Sequence, residues 1–167
     1  MALSDFDLKL LAELQANGRI SKRDLAKTLG VSSVTVSIHM SKLEKEGVIQ
    51  GYSVLLDPES FGYTIEAAIE VAVEGGRIVE VENQLSKSPN VYAVYDVTGE
   101  TDVLLLARFK SRHELSQFVK TILRNRYVVR TNTRLVLTVI KRTNSLPVLT
   151  RPSSKSEPSA VRERHGS

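Results

Sequence analysis

The sequence predicts an α+β protein with a helical N-terminal part and a C-terminal part whose element order is β-α-β-β-α-β. Three observations carry this prediction. Residues 21–49 contain two short amphipathic patterns separated by a glycine-containing turn. Residues 65–74 alternate between an apolar side and a side marked by glutamates, which is typical of a strand. Residues 111–123 combine a helix start signal with apolar residues at helical spacing.

The first two helices have recognisable start and stop signals. Ser4 and Asp7 open the first helix, which ends near Asn17-Gly18, a pair that commonly stops helices. Ser21 opens the second helix, and Asp24 stands three residues later, where it would complete a capping box.

A turn at Gly30 leads into a third helix. Glycine accepts a positive φ without steric penalty, and Ser32 then supplies an N-cap. The apolar residues of the third helix are spaced i, i+4, i+7, which places Val36, Met40 and Leu43 on one side. Two short helices joined by such a turn form a helix-turn-helix, whose second helix can enter the major groove of DNA.

The outward side of the third helix predicts contacts with DNA. Short hydroxyls can bond to base edges, exposed Val and Ile suit thymine methyl groups, and a helix N-terminus can hold a phosphate. His39 lies at the edge of the packed side, where a partly buried or phosphate-facing position is favoured over base reading. The alternative is an ordinary amphipathic helix in a winged-helix scaffold that does not bind DNA. The predicted DNA-binding residues are Ser32, Ser33, Val34, Thr35, Ser37, Ile38, His39, Ser41, Lys42 and Lys45.

The C-terminal part predicts four strands and two helices. The strands are at 65–74, 91–98, 102–109 and about 127–140, with helices at 77–88 and after a capping box formed by Ser111 and Glu114. This order is that of a ferredoxin-like domain with both helices on one face of an antiparallel sheet. The other face carries apolar residues on its second, third and fourth strands, which favours a partner sheet.

These patterns divide the chain into four segments. We predict a helix-turn-helix domain at 1–50 and a linker strand or hinge at 51–62. The extended stretch 48–56, before the break at Asp57-Pro58, is the wing or linker strand. A ferredoxin-like domain follows at 63–143, and a tail rich in Pro, Ser and mixed charges at 144–167 is expected to be disordered.

Composition excludes several functional classes. The 167 residues include no cysteine, which excludes a disulfide framework or a thiolate metal site. No apolar run reaches 18 residues and no signal peptide is evident, so we expect a cytoplasmic protein with no membrane partner. The three histidines, His39, His113 and His165, form no metal or catalytic constellation, and no catalytic residue, metal or cofactor is predicted.

The charge distribution predicts an oligomer. The net charge is +4, but residues 1–50 hold seven basic and six acidic residues, so the helix-turn-helix part carries only +1. Phosphate contacts supply most non-specific affinity for DNA, and one such head would bind weakly. Useful affinity therefore requires two or more copies on one DNA.

Several ordered motifs together resemble the Lrp/AsnC (feast/famine, leucine-responsive) family of transcriptional regulators. They are Asn-Gly-Arg at 17–19, the helix-turn-helix, Gly-Val-Ile at 47–49, and Gly-x-x-Asp at 99–102, within a match over roughly residues 4–141. The resemblance implies a helix-turn-helix joined by a hinge strand to a βαββαβ effector and oligomerisation domain. It also implies dimers that associate further into tetramers, octamers or larger assemblies, in a prokaryotic, nucleoid-associated protein. His39 departs from the family pattern, in which arginine is common at this position.

The resemblance further implies a small-molecule effector, usually an amino acid or related metabolite, bound between dimers. The residues it indicates are Gly99, Glu100, Thr101 and Asp102, with Thr131 and Thr133 from the last strand. An Asp102 carboxylate can accept hydrogen bonds from an α-ammonium, while backbone N–H groups of the turn can hold a carboxylate. A simple β-turn with Asp102 bonded to backbone remains the alternative.

The predicted function is a sequence-specific DNA-binding regulator with double-stranded DNA, further copies of itself and a small-molecule effector as partners. Three alternatives stay open. One is an architectural protein that coats DNA with little sequence preference, although the sparse charge of the third helix disfavours it. The others are an enzyme of the sirohaem-decarboxylase kind on a similar fold, and a metabolite sensor that acts through protein partners.

Overall fold

The computed structural model describes residues 2–143 and Leu146, which form two compact units. One unit contains the described residues up to Val54, and the other is Leu55–Arg142. The predicted tail at 144–167 lies outside the described residues, apart from Leu146.

The first unit holds three helices, α1 (Asp5–Ala16), α2 (Lys22–Leu29) and α3 (Ser33–Lys45), each with a serine N-cap as predicted. The box at α1 is complete, because Ser4 and Asp7 bond reciprocally through side chain and backbone. The box predicted at α2 is only half formed. The Ser21 hydroxyl accepts from the Asp24 N–H at 3.1 Å, but the Asp24 carboxylate accepts a hydrogen bond from that same hydroxyl and not from the Ser21 backbone N–H.

The helices of the first unit pack around one small apolar core. The turn between α2 and α3 depends on Gly30, whose φ of 68° lies in the left-handed region that favours glycine. The N–H of the next residue then bonds back to the carbonyl of Ala26 at 3.0 Å, which closes the end of α2. The fully or nearly fully buried core residues are Leu10, Leu25, Ala26, Val36, Met40 and Leu43.

The prediction of a wing or linker strand between the two units is wrong. Residues 48–57 form no strand, because within the described part of the chain they pair with no other segment. Leu55 is 94% exposed, which is far from the half-buried surface on which a strand is stable. A short 3-10 helix at Glu59–Phe61, absent from the prediction, follows the Asp57-Pro58 break.

The second unit has the predicted ferredoxin-like topology. The elements are β1 (Ile65–Val73), α4 (Ile78–Leu85), β2 (Val91–Asp96), β3 (Val103–Phe109), α5 (Arg112–Leu123) and β4 (Val128–Leu135). All pairings are antiparallel, and the strand order is β2-β3-β1-β4. The alternation of β1 is confirmed, since Ala67, Ile69, Val71 and Val73 join the buried side chains of α4 and α5 in one core.

Two predicted details of the second unit are wrong, the end of the last strand and the capping box of α5. The last strand ends at Leu135 rather than near 140, because its pairing with β1 ends where Leu135 lies opposite Ala67 and the Val136 N–H donates to the Glu66 carbonyl. The capping box at α5 is also incomplete. Ser111 accepts from the Glu114 N–H, but the Glu114 carboxylate accepts from the N–H of Lys110 at 2.7 Å. That carboxylate therefore anchors the chain before the helix.

The sheet face opposite the helices is apolar in its middle and charged at one edge. Leu104 and Leu106 of β3 point to this open face, between partly buried neighbours. The prediction of apolar residues on the fourth strand is wrong, because register puts Arg130, Asn132 and Arg134 of β4 there. The charges on the open face are paired with one another. They include contacts of Glu66 with Tyr92, Arg108 and Arg142, and of Glu70 with Asn132 and Arg134.

Candidate nucleic-acid interface and effector site

The exposed side of α3 is the most prominent candidate surface of the first unit. The helix turns Val36, Met40 and Leu43 into the core, so the opposite side faces outward. Val34, in the first turn, and Ile38, in the middle of the helix, are 68% and 63% exposed there, so two large aliphatic side chains face outward. The residues that line this side are Ser33, Val34, Ser37, Ile38, Ser41, Lys42, Lys45 and Glu46, which we call the α3 face. Glu46 was not predicted.

Ser32 and Thr35 lie at the start of α3 and bond to each other. The Ser32 hydroxyl accepts from the Thr35 N–H at 3.1 Å and lies 2.9 Å from the Thr35 hydroxyl. Their first role is thus to satisfy the free N–H groups at the helix start. Ser32 is exposed, whereas Thr35 is half-buried.

His39 stands apart from the α3 face because it packs against α1. Its Nδ1 lies 2.7 Å from an Asp7 carboxylate oxygen, and its ring meets the Phe6 ring edge-on at a centroid distance of 4.6 Å. Lys42 approaches the other Asp7 oxygen at 3.9 Å. Asp7 is fully buried, so these contacts connect α1 to the exposed helix through one desolvated carboxylate.

The Asp7 carboxylate is ionised in the folded protein. Burial by itself would raise the pKa of Asp7, but hydrogen bonds from His39 and Ser4, together with the Lys42 ammonium, lower it to about 2. A buried charge is tolerated when it is paired and hydrogen-bonded, and all these partners surround Asp7. The sequence offered only the capping box as a signal for this residue, and the contact with His39 spans 32 positions.

The second candidate site is the loop between β2 and β3. Gly99 has a φ of 127°, a backbone conformation that favours glycine, and Glu100 at the tip has a side chain that is 93% exposed. Asp102 ends the loop and is bonded to β1 twice. Its N–H donates to the Val71 carbonyl at 3.1 Å, and its carboxylate accepts from the Val73 N–H at 2.7 Å. The structure thus contains the backbone contact that was the alternative to an effector role for Asp102.

The structure brings one of the two predicted β4 residues close to this loop. Thr131 pairs with Val71, the residue whose carbonyl accepts from Asp102, whereas Thr133 pairs with Ile69 two positions further along. Both threonines share the helix-covered side of the sheet with those partners. Arg130, which was not predicted, donates to the Glu100 carbonyl at 3.0 Å and so holds the loop against β4.

The described residues contain no group of three His, Asp or Glu side chains that could hold a metal ion. Within the same part of the chain, no helix has the length and apolar character needed to cross a membrane.

Comparison with known proteins finds a matching protein family for each of the two units. Residues 3–50 match the family described as a winged helix-turn-helix DNA-binding domain, and residues 66–146 match the family described as the Lrp/AsnC ligand binding domain. An uncharacterised helix-turn-helix transcriptional regulator of Pyrococcus abyssi is 40% identical over 139 residues, which cover 83% of this chain and 95% of the relative.

Two solved structures extend the comparison to bound ligands. A transcriptional regulator of Neisseria meningitidis in complex with L-methionine is 33% identical, with a TM-score of 0.81, over 88% of this chain and 97% of that one. A feast or famine regulatory protein of Mycobacterium tuberculosis, also in complex with L-methionine, is 29% identical, with a TM-score of 0.81, over 87% and 99% of the two chains. The predicted fold class is thus confirmed.

Proposed function

The chain belongs to the Lrp/AsnC family of transcriptional regulators, and from this premise we propose that it binds specific DNA sequences as a homo-oligomer controlled by an amino acid. Residues 1–50 are the DNA-binding domain, 51–62 the hinge, and 63–143 the effector and assembly domain. The observation that carries the proposal is the α3 face, where two large aliphatic side chains are exposed together with Ser33, Ser41 and two lysines, and Ser37 is half-buried between them.

The α3 face supports base reading more than phosphate coating. Val34 and Ile38 offer apolar contact to thymine methyl groups, and Ser33, Ser37 and Ser41 offer hydroxyls to base edges. Lys42 and Lys45 lie toward the C-terminal end, where they would contact phosphates. The remaining members of the proposed DNA-binding set are Ser32 and Thr35 at the helix start and His39 at its edge.

Two of the three alternatives, the architectural coat and the enzyme, are not favoured. An architectural coat would bind through many cationic side chains, whereas the α3 face carries two lysines and the acidic Glu46. For the enzyme of the sirohaem-decarboxylase kind, the relatives and solved structures described above give no support, because all are transcriptional regulators.

The open face of the sheet supports assembly through the effector domain. Leu104 and Leu106 lie at its centre, and its flanking glutamates are already paired with arginines, so covering the face would leave few charges unsatisfied. Burial and the neighbouring Glu66 raise the pKa of Tyr92 to about 12, so its hydroxyl stays a neutral donor within this network. A dimer would present two copies of α3 to successive major grooves, about one helical turn apart.

The loop after β2 supports the effector role. Asp102 uses one carboxylate oxygen on the Val73 N–H, and the other remains for an α-ammonium group. Amino acids of the methionine kind are the first candidate effectors, because both solved structures described above contain L-methionine. The proposed effector-binding residues are Gly99, Glu100, Thr101, Asp102, Thr131 and Thr133. An effector changes assembly only if it has different affinities for the two states.

Replacing Asp102 separates its two roles. Asp102→Asn keeps an oxygen for the Val73 N–H but removes the charge, so we expect amino-acid affinity to fall by about tenfold or more while thermal stability changes little. Asp102→Ala removes the charge and the oxygen that accepts from the Val73 N–H, so both amino-acid affinity and thermal stability should fall. Isothermal calorimetry with L-methionine and a thermal melt measure the two effects. Undiminished ligand affinity in both variants would remove Asp102 from the site.

Lys45→Ala should weaken binding to all DNA sequences by a similar factor and reduce the salt slope of the binding constant by about one per head. The reason is that a phosphate contact carries no base information. Fluorescence anisotropy on an operator and on an unrelated duplex, each across a salt series, measures this. Lys87→Ala, which removes a lysine from the second unit, is the matched control. A changed sequence preference would contradict the phosphate assignment.

Selection of binding sites from random duplex DNA, with and without a panel of amino acids, tests the proposed function as a whole. We expect an enriched palindromic motif with half-sites about one helical turn apart, whose occupancy shifts with one or more amino acids. Sedimentation should find an oligomer. A monomer that selects no motif and ignores duplex DNA at low salt would overturn the proposal.

A further inference from the structure

We propose that His39 contacts a DNA phosphate through Nε2 in its protonated form, and that Asp7 is the positioning residue that makes this contact depend on proton uptake. The inference rests on the proposed function and deepens it, because it assigns His39 a chemical state in the complex. It depends on the geometry of the Asp7 carboxylate, which is fully buried in the first unit.

The tautomer of His39 follows from its partner. Asp7 accepts from the Ser4 N–H at 3.1 Å, from the Ser4 hydroxyl at 2.7 Å and from His39 Nδ1 at 2.7 Å, while Lys42 approaches at 3.9 Å. An ionised carboxylate has no proton to give, so the hydrogen between Asp7 and His39 belongs to Nδ1. The neutral imidazole therefore carries its only proton on Nδ1, and Nε2 has a lone pair.

In the neutral ring Nε2 carries this lone pair and no hydrogen, so it cannot donate a hydrogen bond to a phosphate. Phosphate oxygens near neutral pH are acceptors, and two acceptors facing each other repel. When Nε2 gains a proton, the ring becomes a cation with donors at both nitrogens, and Nε2 can then donate to a phosphate while Nδ1 stays bonded to Asp7. The bound phosphate favours the protonated ring, so binding of DNA should draw a proton from solution.

The surroundings of the ring allow this change. The His39 side chain is 30% exposed, so it is partly accessible to solvent although its ring packs against Phe6 and its Nδ1 is bonded to Asp7. The charged groups that face it are Asp7 from α1 and, one turn further along α3, Lys42. For α2, the described residues provide no charged side chain bonded to the imidazole.

A purely structural role for His39 would give a different result. If the ring only joins α1 to α3, its Nδ1 bond to Asp7 persists whether Nε2 is protonated or not, and DNA affinity should not follow the titration of one imidazole. The pH profile and the salt slope therefore distinguish a phosphate contact from packing.

The experiment measures the affinity of the full chain for its selected operator at pH 6, 7 and 8 and constant ionic strength, with salt series at pH 6 and 8. We expect binding about tenfold tighter at pH 6 than at pH 8, and a salt slope steeper by about one per head at pH 6. His39→Gln should bind weakly at both pH values and lose most of this dependence. His113→Gln, at an exposed position of α5, is the control and should retain it.

Two further variants keep the proposal falsifiable if His39→Gln folds poorly. His39→Arg has a permanent charge and enough donors for both Asp7 and a phosphate, so it should bind tightly at pH 6 and pH 8 alike. Asp7→Asn has an amide that can donate to Nδ1, which moves the neutral proton to Nε2 and should flatten the pH profile by raising affinity at pH 8.

The outcomes separate this inference from the proposed function. Tight operator binding with no pH dependence, or a pH dependence that persists in His39→Gln, would overturn the proton-linked contact and leave DNA binding intact. Failure of the wild-type chain to bind any selected duplex at any of these pH values would overturn both.

Discussion

Ile38→Glu is expected to abolish specific DNA binding while leaving the fold unchanged. The side chain is 63% exposed in the middle of the α3 face, so a carboxylate there stays solvated in the free protein. In a complex it would stand in the major groove beside phosphates, where like charges cost several kcal/mol, a loss of about a hundredfold or more in affinity. Ser37→Glu, one residue away, should behave similarly.

Fluorescence anisotropy on the selected operator measures this loss, and circular dichroism with sedimentation checks fold and assembly. Val79→Glu is the matched control, because Val79 is a β-branched aliphatic residue, 69% exposed, on α4 of the other unit. It should bind the operator like the wild type. If Ile38→Glu and Ser37→Glu both leave the footprint unchanged, the α3 face is not the surface that enters the groove.

The elements predicted best are those specified by local chemistry. Serine N-caps and helical spacing placed α1, α2 and α3 within a residue or two, since a cap bonds only to N–H groups within its own first turn. Strict alternation placed β1 in the same way, because side chains alternate along a strand whatever its partners are. The topology then followed from the order of elements.

The failures concern partners, which the local sequence does not specify. Residues 48–56 have strand-like composition, but a strand also requires a second chain segment that satisfies its N–H and C=O groups. The end of β4 is determined by the extent of its pairing with β1, which lies more than 60 residues earlier in the chain. Apolar residues of β4 were predicted on the open face because the sequence does not specify how β4 pairs with β1. A shift of one residue in that pairing moves every side chain of the strand to the opposite face.

In the candidate sites too, features within one element were predictable, whereas contacts between distant elements were not. The α3 face was predictable almost completely, because one helix carries every member and helical geometry fixes which side each occupies. Pairing of His39 with Asp7, and of Arg130 with the Glu100 loop, was not predictable, since each joins two elements far apart in sequence. The Gly-x-x-Asp motif made Asp102 a candidate, but the motif does not indicate that the Val73 N–H of β1 donates to one of its carboxylate oxygens.

Phe109→Ala is expected to produce the largest loss of stability in the second unit. Phe109 is fully buried in the core between the sheet and α5, with the Phe118 ring at a centroid distance of 5.3 Å. Removing its ring loses apolar burial and leaves a cavity that the sheet cannot fill without moving β3, at a cost of about 3–5 kcal/mol. Differential scanning calorimetry should find a Tm for this unit lower by at least about 12 °C.

Phe61→Ala is the control for this substitution, because the same ring is removed from a side chain that is 56% exposed, and its Tm should change by no more than a few degrees.

The consequence for function follows from charge. The helix-turn-helix part carries only +1, so a chain whose second unit, the proposed assembly domain, unfolds should lose operator affinity at temperatures where α3 is still folded. Operator binding that persists above the melting temperature of the Phe109→Ala effector unit would contradict the dependence of DNA binding on assembly.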